Sequence, residues 1–216
     1  MIVETFPVGM LACNCTILGD AESGEAIVID GGDDVDAIAL RLAHHGLRPR
    51  YLVHTHAHFD HIGALGPLRE RCGGAGLLHH ADRPLYANLA QQFRMVGLAG
   101  ALEPVALDGD LTDGDELRAG ALRLRAIHTP GHTPGSTSFA LEDAGTTMLF
   151  TGDTLFRGAV GRWDLGGTSL EDIVDSIRTK LLVYPDQARV VCGHGPETTI
   201  GNERATNPFL DQRPPR

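Results

Sequence analysis

Positive charge is scarce in this chain, aromatic side chains are few, and no apolar run is long enough to span a bilayer. Each shortage removes a class of function. Lysine and arginine total 18 against 28 acidic residues, a formal charge of −10. An acidic surface repels phosphate backbones, so no nucleic-acid partner is expected, and a ribonuclease is set aside on the same ground. With no stretch of about 18 apolar residues, no membrane association is expected. The opening MIVETFPVGMLACNC has neither a basic start nor a clean apolar segment. It reads as no signal peptide, which makes the expected location cytoplasmic. The cysteines are Cys13, Cys15, Cys72 and Cys192, with no CxxC pair among them, so reduced thiols are expected. Aromatics make up 5% of the residues and hydrophobics 42%, so the core is expected to be mostly Ala, Leu, Val and Ile.

What is present is an alternation of strand and helix patterns with no Ser- or Pro-rich linker. It reads as one domain over residues 1–210, with 211–216 as a loose tail. Ile2–Val8, Asn14–Gly19 and Glu25–Asp30 read as strands. Asp33 or Asp34 is placed to cap a helix whose Val35, Ile38, Ala39 and Leu42 share a face, ending at Gly46. Tyr51–Thr55 is the next strand. Asp82 and Pro84 signal a helix carrying Leu85, Leu89, Phe93 and Val96. Leu122–His128, Ser136–Leu141 and Met148–Thr151 read as strands. Thr168 and Glu171 form a capping-box pattern for a helix through Leu181. Arg189–Cys192 is the last strand.

The stretch HTHAHFDH, His54–His61, puts four histidines and one aspartate into eight residues. His56 and His58 are two apart on extended chain, so their rings can point the same way. Asp60 and His61 follow after the chain turns. Imidazoles beside a carboxylate suit a borderline divalent ion such as zinc, with iron or manganese also tolerated. One tetrahedral ion cannot use all of these groups, so two ions close together are expected. Further donors close later strands: His132 in TPGHTPGS, Asp153 in FTGDTLF and His194 in VVCGHGPE, each beside a glycine. A lone HxH is weak evidence. The ordered set HxHxDH, TPGHT, TGD and GHG is highly specific.

Other polar residues have blander readings. His54 and His128 are expected to be structural, His79 and His80 surface or rim, and Cys192 an inert buried thiol. Trp163 reads as either pocket wall or packing. The FRMVGL stretch reads as core or as a cover over the site. Arg162 and Asp164 are expected to fix their own loop.

The segments THAHFDHIGA, IHTPGHTPGS, LFTGDTLF and VVCGHGPETT resemble the metallo-β-lactamase fold superfamily, and within it a short glyoxalase II-like (hydroxyacylglutathione hydrolase-like) bacterial branch. That resemblance implies an α/β fold, a four-layer αββα sandwich with mixed sheets and its metals at one edge. It implies His56, His58 and His132 on a first metal, Asp60, His61 and His194 on a second, and Asp153 bridging them. It also implies a thioester hydrolase acting on a glutathione-type substrate such as S-D-lactoylglutathione. The nucleophile would be a hydroxide held between the ions, with Asp60 and Asp153 as the catalytic carboxylates. An aspartate rather than a cysteine at 153 argues against antibiotic hydrolysis. The expected partner is thus a small-molecule thioester, with the protein a monomer or homodimer. The alternatives are a persulfide dioxygenase with one iron on His56, His132 and Asp153, another ester or lactone hydrolase, and a metal-binding module without turnover.

Overall fold

A tight turn, with the Ala12 N–H on the Gly9 carbonyl, folds the first two strands together and starts the first sheet. The computed structural model describes residues 1–97, 102–143, 145–164 and 168–211. Strands β1 (Ile2–Val8) and β2 (Cys13–Gly19) pair antiparallel, Ile2 opposite Gly19 and Val8 opposite Cys13. Strand β3 (Glu25–Ile29) joins β2 antiparallel. Then β4 (Arg48–Val53), β5 (Ala75–His79) and β6 (Gly109–Leu111) add in parallel. Parallel neighbours need crossovers. These are supplied by α1 (Val35–His44), by α2 (Phe59–Ile62) with α3 (Leu65–Cys72), and by α4 (Arg83–Tyr86) with α5 (Leu89–Met95).

The second sheet is built from β7 (Glu116–Ala119), β8 (Leu122–His128), β9 (Thr137–Asp143) and β10 (Thr146–Gly152), all antiparallel neighbours. After a hairpin of β11 (Leu155–Phe156) and β12 (Ala159–Val160) comes α6 (Leu170–Ser176), continued by a π-helical turn over Ile177–Leu181. Strand β13 (Arg189–Cys192) pairs parallel with β10, followed by β14 (Thr198–Thr199) and α7 (Ile200–Thr206).

Side-chain alternation divides the core into three layers of contact. In β3, Ala26 and Val28 pack outward with Ile38, Leu42, Leu65 and Leu68 of α1 and α3. Ile27 and Ile29 point inward, onto Leu124, Phe139, Met148 and Phe150 of the second sheet. Leu149 and Val190 on the far face of that sheet meet Ile173, Ile177 and Ile200 of the remaining helices. Helix, sheet, sheet, helix is the expected αββα sandwich.

Local details differ from the sequence reading. Asp34 precedes α1 in a left-handed conformation (φ 50°) and makes no side-chain cap. Its carboxylate instead accepts from the Gly9 N–H at 2.8 Å. The helix expected after Asp82 breaks in two. Asn88 turns its amide onto the Pro84 carbonyl (2.8 Å), and its own N–H reaches only three residues back, to Leu85. At α6 the cap lies one residue further on: Ser169 Oγ accepts from the Asp172 N–H at 3.1 Å. Residues 212–216 of the expected tail lie outside the described residues, as do Leu98 of FRMVGL and Leu165 to Gly167 beyond Trp163.

Candidate metal centre

The site forms where four strands of the sandwich end at one edge. Strand β4 stops at Val53 because a side chain takes over from the ladder. Asp30 N–H bonds the Val53 carbonyl, and Asp30 Oδ1 accepts from the Thr55 N–H at 2.8 Å. His54 and Thr55, read from sequence as the end of that strand, therefore lie with His56 to His58 in a loop. What turns two rings of that loop together is the Ala57 peptide between them. Its N–H donates to Asp82 Oδ2 (3.0 Å) and its carbonyl accepts from Gln92 Nε2 (3.0 Å).

The loop meets the β8–β9 turn carrying His132, the β10 end carrying Asp153 and the β13 end carrying His194. His58 Nδ1 lies 2.9 Å from His56 Nε2 and 3.0 Å from His132 Nε2. His61 Nε2 lies 3.2 Å from His194 Nε2. Asp60 Oδ2 is 3.2 Å from His194 Nε2 and 3.6 Å from His61 Nε2. Asp153 stands between the two groups. Its Oδ2 is 3.6 Å from His132 Nε2, and its Oδ1 is 3.5 Å from His61 Nε2 and 3.8 Å from His194 Nε2. All seven residues singled out from sequence thus converge. Close approach needs glycine: a Cβ at Gly193 would stand 2.1 Å from Asp153 Oδ1, and one at Gly152 (φ +48°) 2.4 Å from Thr55 Oγ1.

The outer ring nitrogens fix the tautomers. His132 Nδ1 donates to the Arg162 carbonyl (2.8 Å), His194 Nδ1 to the Leu11 carbonyl (3.0 Å) and His61 Nδ1 to Asp30 Oδ2 (3.0 Å). Thr55 Oγ1 gives its hydrogen to Asp30 Oδ2 (2.7 Å), so it accepts from His56 Nδ1 at 3.1 Å. The Nε2 atoms of all four rings then face the centre, those of His56 and His132 as lone pairs and that of His194 toward Asp60. His58 Nδ1 can donate to only one of its two neighbours. Asp153 Oδ1 is buried with no hydrogen-bond partner. Lone pairs facing lone pairs, beside an orphaned carboxylate oxygen, is the donor chemistry of a cation site and a poor arrangement for hydrogen bonding alone.

Electrostatics separate the two groups. Burial, then the neighbouring rings, pushes His56 well below the usual histidine range and His58 down to about 3. Burial also lowers His132. Burial opposes the Asp60 carboxylate, but the hydrogen bond from His194 and the charge of His61 outweigh it and hold Asp60 at about 2. Burial likewise opposes a charged His194, yet the hydrogen bond to Asp60 and the charge of Asp153 raise it.

Several supporting groups carry little sequence signal. From sequence, Asp30 reads only as a strand end and Asp82 only as a helix start. Asp82 is fully buried and also accepts from Thr133 Oγ1 (2.8 Å) and the Gly135 N–H (2.6 Å), just after His132. It therefore ties the His56–His58 loop to the His132 turn. The one available hint was an acidic residue at each apolar strand end. His79 is buried, 4% exposed, and stacks on His128 at 4.0 Å, so it is no surface group. His54 Nδ1 lies 3.0 Å from the His61 carbonyl. Trp163 packs near Phe209 and the helical layer. Arg162 pairs with Asp164. Burial pushes the Cys192 thiol up to about 12.

Comparison with known proteins agrees with this geometry. The model of the metallo-beta-lactamase superfamily matches residues 8–194, and the chain belongs to that superfamily. It is a metallo-hydrolase of that fold. It is 34% identical over 223 residues to the hydroxyacylglutathione hydrolase GloC of Haemophilus influenzae, covering 99% of this chain and 100% of that one. Among solved structures, BLEG-1, described as a B3 metallo-beta-lactamase, superposes with a TM-score of 0.87 at 35% identity, covering 97% and 99% of the two chains. TTHA1623, described in a di-iron-bound form, gives 0.82 at 37% identity, covering 94% and 98%.

Proposed function

We propose that the protein hydrolyses thioesters of the hydroxyacyl-glutathione class, S-D-lactoylglutathione among them, at a pair of divalent cations. The observation that carries this is Asp153, whose two oxygens are divided between two histidine groups. His56, His58 and His132 would hold one cation, Asp60, His61 and His194 the other, and Asp153 would be shared. Two cations held there would supply a water of lowered pKa and a Lewis acid for a carbonyl oxygen.

The chain's own groups supply the rest. Asp60, ionised at neutral pH, is an acceptor that orients the attacking water. Asp30, Thr55 and the carbonyls of Leu11 and Arg162 keep the rings in the tautomer that presents Nε2 inward. A thioester suits the site because its leaving group departs as a thiolate. A thiol has a pKa of about 8.5, so no acid need protonate it. The 34% identity to GloC over nearly the full length of both chains supports the glutathione thioester. BLEG-1 brings β-lactams in as rival substrates in spite of Asp153.

The test is to purify the protein, count and identify its metals, and assay S-D-lactoylglutathione beside a β-lactam and beside oxygen uptake on glutathione persulfide. Two cations per chain with thioester cleavage supports the proposal. A single iron with oxygen consumption, or β-lactam cleavage alone, replaces it.

A further inference from the structure

Beside Asp60 lies a cleft of about 350 Å³. Met10 and Leu11 of the β1–β2 turn, Val35 of α1, Phe59, Phe93 and Leu102 give it apolar walls. Phe59 and Phe93 meet edge to face, with centroids 5.7 Å apart. Among the described residues, its only charged lining groups are Asp33 and Asp60. The volume falls at the low end of the roughly 300–1,000 Å³ of clefts that hold drug-sized ligands. A lactoyl group, with three carbons, would leave most of that space to water against apolar walls.

We propose that this cleft is the acyl-binding subsite and that the preferred thioester carries a medium-length apolar acyl chain. The inference rests on the thioesterase reading and extends it. The apolar walls decide which half of the substrate enters. Glutathione carries two carboxylates and coenzyme A carries phosphates, and either would give up water against those walls and meet the exposed Asp33 carboxylate. An acyl chain is neutral and matches the walls. The carbonyl then sits at the Asp60 end of the cleft, against the proposed cations, and the thiol half points away from it. Each methylene buried contributes about 0.8 kcal/mol, or about fourfold in kcat/KM.

The experiment is a series of glutathione thioesters of lactate, butanoate, hexanoate and octanoate on the metal-loaded protein. The expected result is a rise of about fourfold per methylene, carried mainly by KM, until the cleft is full. Leu102→Asp, or Phe93→Ala if that variant fails to fold, should flatten the series. A wild-type series that is flat, or that falls from lactoyl, overturns the proposal and leaves the thioesterase reading standing. Should no thioester be cleaved, that reading fails. The cleft is then decided by calorimetry with S-methyl-, S-butyl-, S-hexyl- and S-octylglutathione: tightening with chain length supports it, and a constant Kd overturns it.

Discussion

The two halves of the site use the same side chain and treat a proton in opposite ways. His56, His58 and His132 stand among other rings, and burial holds all three below the ordinary histidine range. His194 stands against Asp60 and Asp153, which overcome burial and raise it. Three neutral rings would offer a cation lone pairs without competition, whereas the second half would first have to release a proton. Ligand type alone therefore does not set a ring's proton affinity here; the balance of burial against nearby carboxylates does.

The most severe way to break this contrast is Asp153→Ala, which removes the group common to both halves. Cation content should fall in both, and thioester cleavage should drop more than about a hundredfold, beyond what losing a supporting group usually costs. Metal analysis that still finds two ions per chain would sink the bridging assignment. Asp82→Ala should split the halves. It leaves three buried donors unmet, so a loss of about 3 kcal/mol in stability is expected. Affinity for the first cation should fall about 10- to 100-fold while the second is spared. Calorimetric titration with cobalt checks this, and Asp82→Asn should restore part of the loss.

Acidification should sharpen the contrast with no mutation. A raised His194 is protonated up to a higher pH, so affinity in the second half should fall about tenfold per pH unit below that pKa. The first half, already neutral, should hold its cation well into the acid range. Titrations between pH 8 and 5.5 that show both halves weakening together would remove the distinction. The smallest effect expected is from Cys13→Ser. The thiol lies 3.4 Å from His61 Nδ1, and burial keeps it protonated, with its pKa up to about 12. His61 already has Asp30 as an acceptor, so cation affinity should change by less than about threefold.

Much of this could be read in the chain because the chemistry is written in rare letters. Histidines crowded at HxHxDH, and single donors flanked by glycine at 132, 153 and 194, stand out against any strand or helix pattern. Long alternating strands such as Leu122–His128 were legible for the same reason of regularity. Short strands such as Gly109–Leu111 and Thr198–Thr199 have too few residues for a period to show. The supports were illegible for a different reason. Asp82 reads as a helix start, and only the fold reveals that its carboxylate reaches back 25 residues to the Ala57 peptide. The carbonyls of Leu11 and Arg162 belong to no residue type at all, so no motif can carry them. The segment GNERATNPF, Gly201–Phe209, is an intermediate case. Its Glu203 is fully buried and takes the Gly158 N–H at 2.8 Å, and Asn207 reaches the Ala159 carbonyl, so the motif pins the hairpin that leads to Arg162.

The short turn between β1 and β2 holds two offices at once. Met10 and Leu11 wall the cleft with their side chains, while the Leu11 backbone oxygen steadies His194. A backbone change in this turn that reshapes the cleft would also move the tether of His194, so pocket shape and ring position are coupled within four residues of sequence.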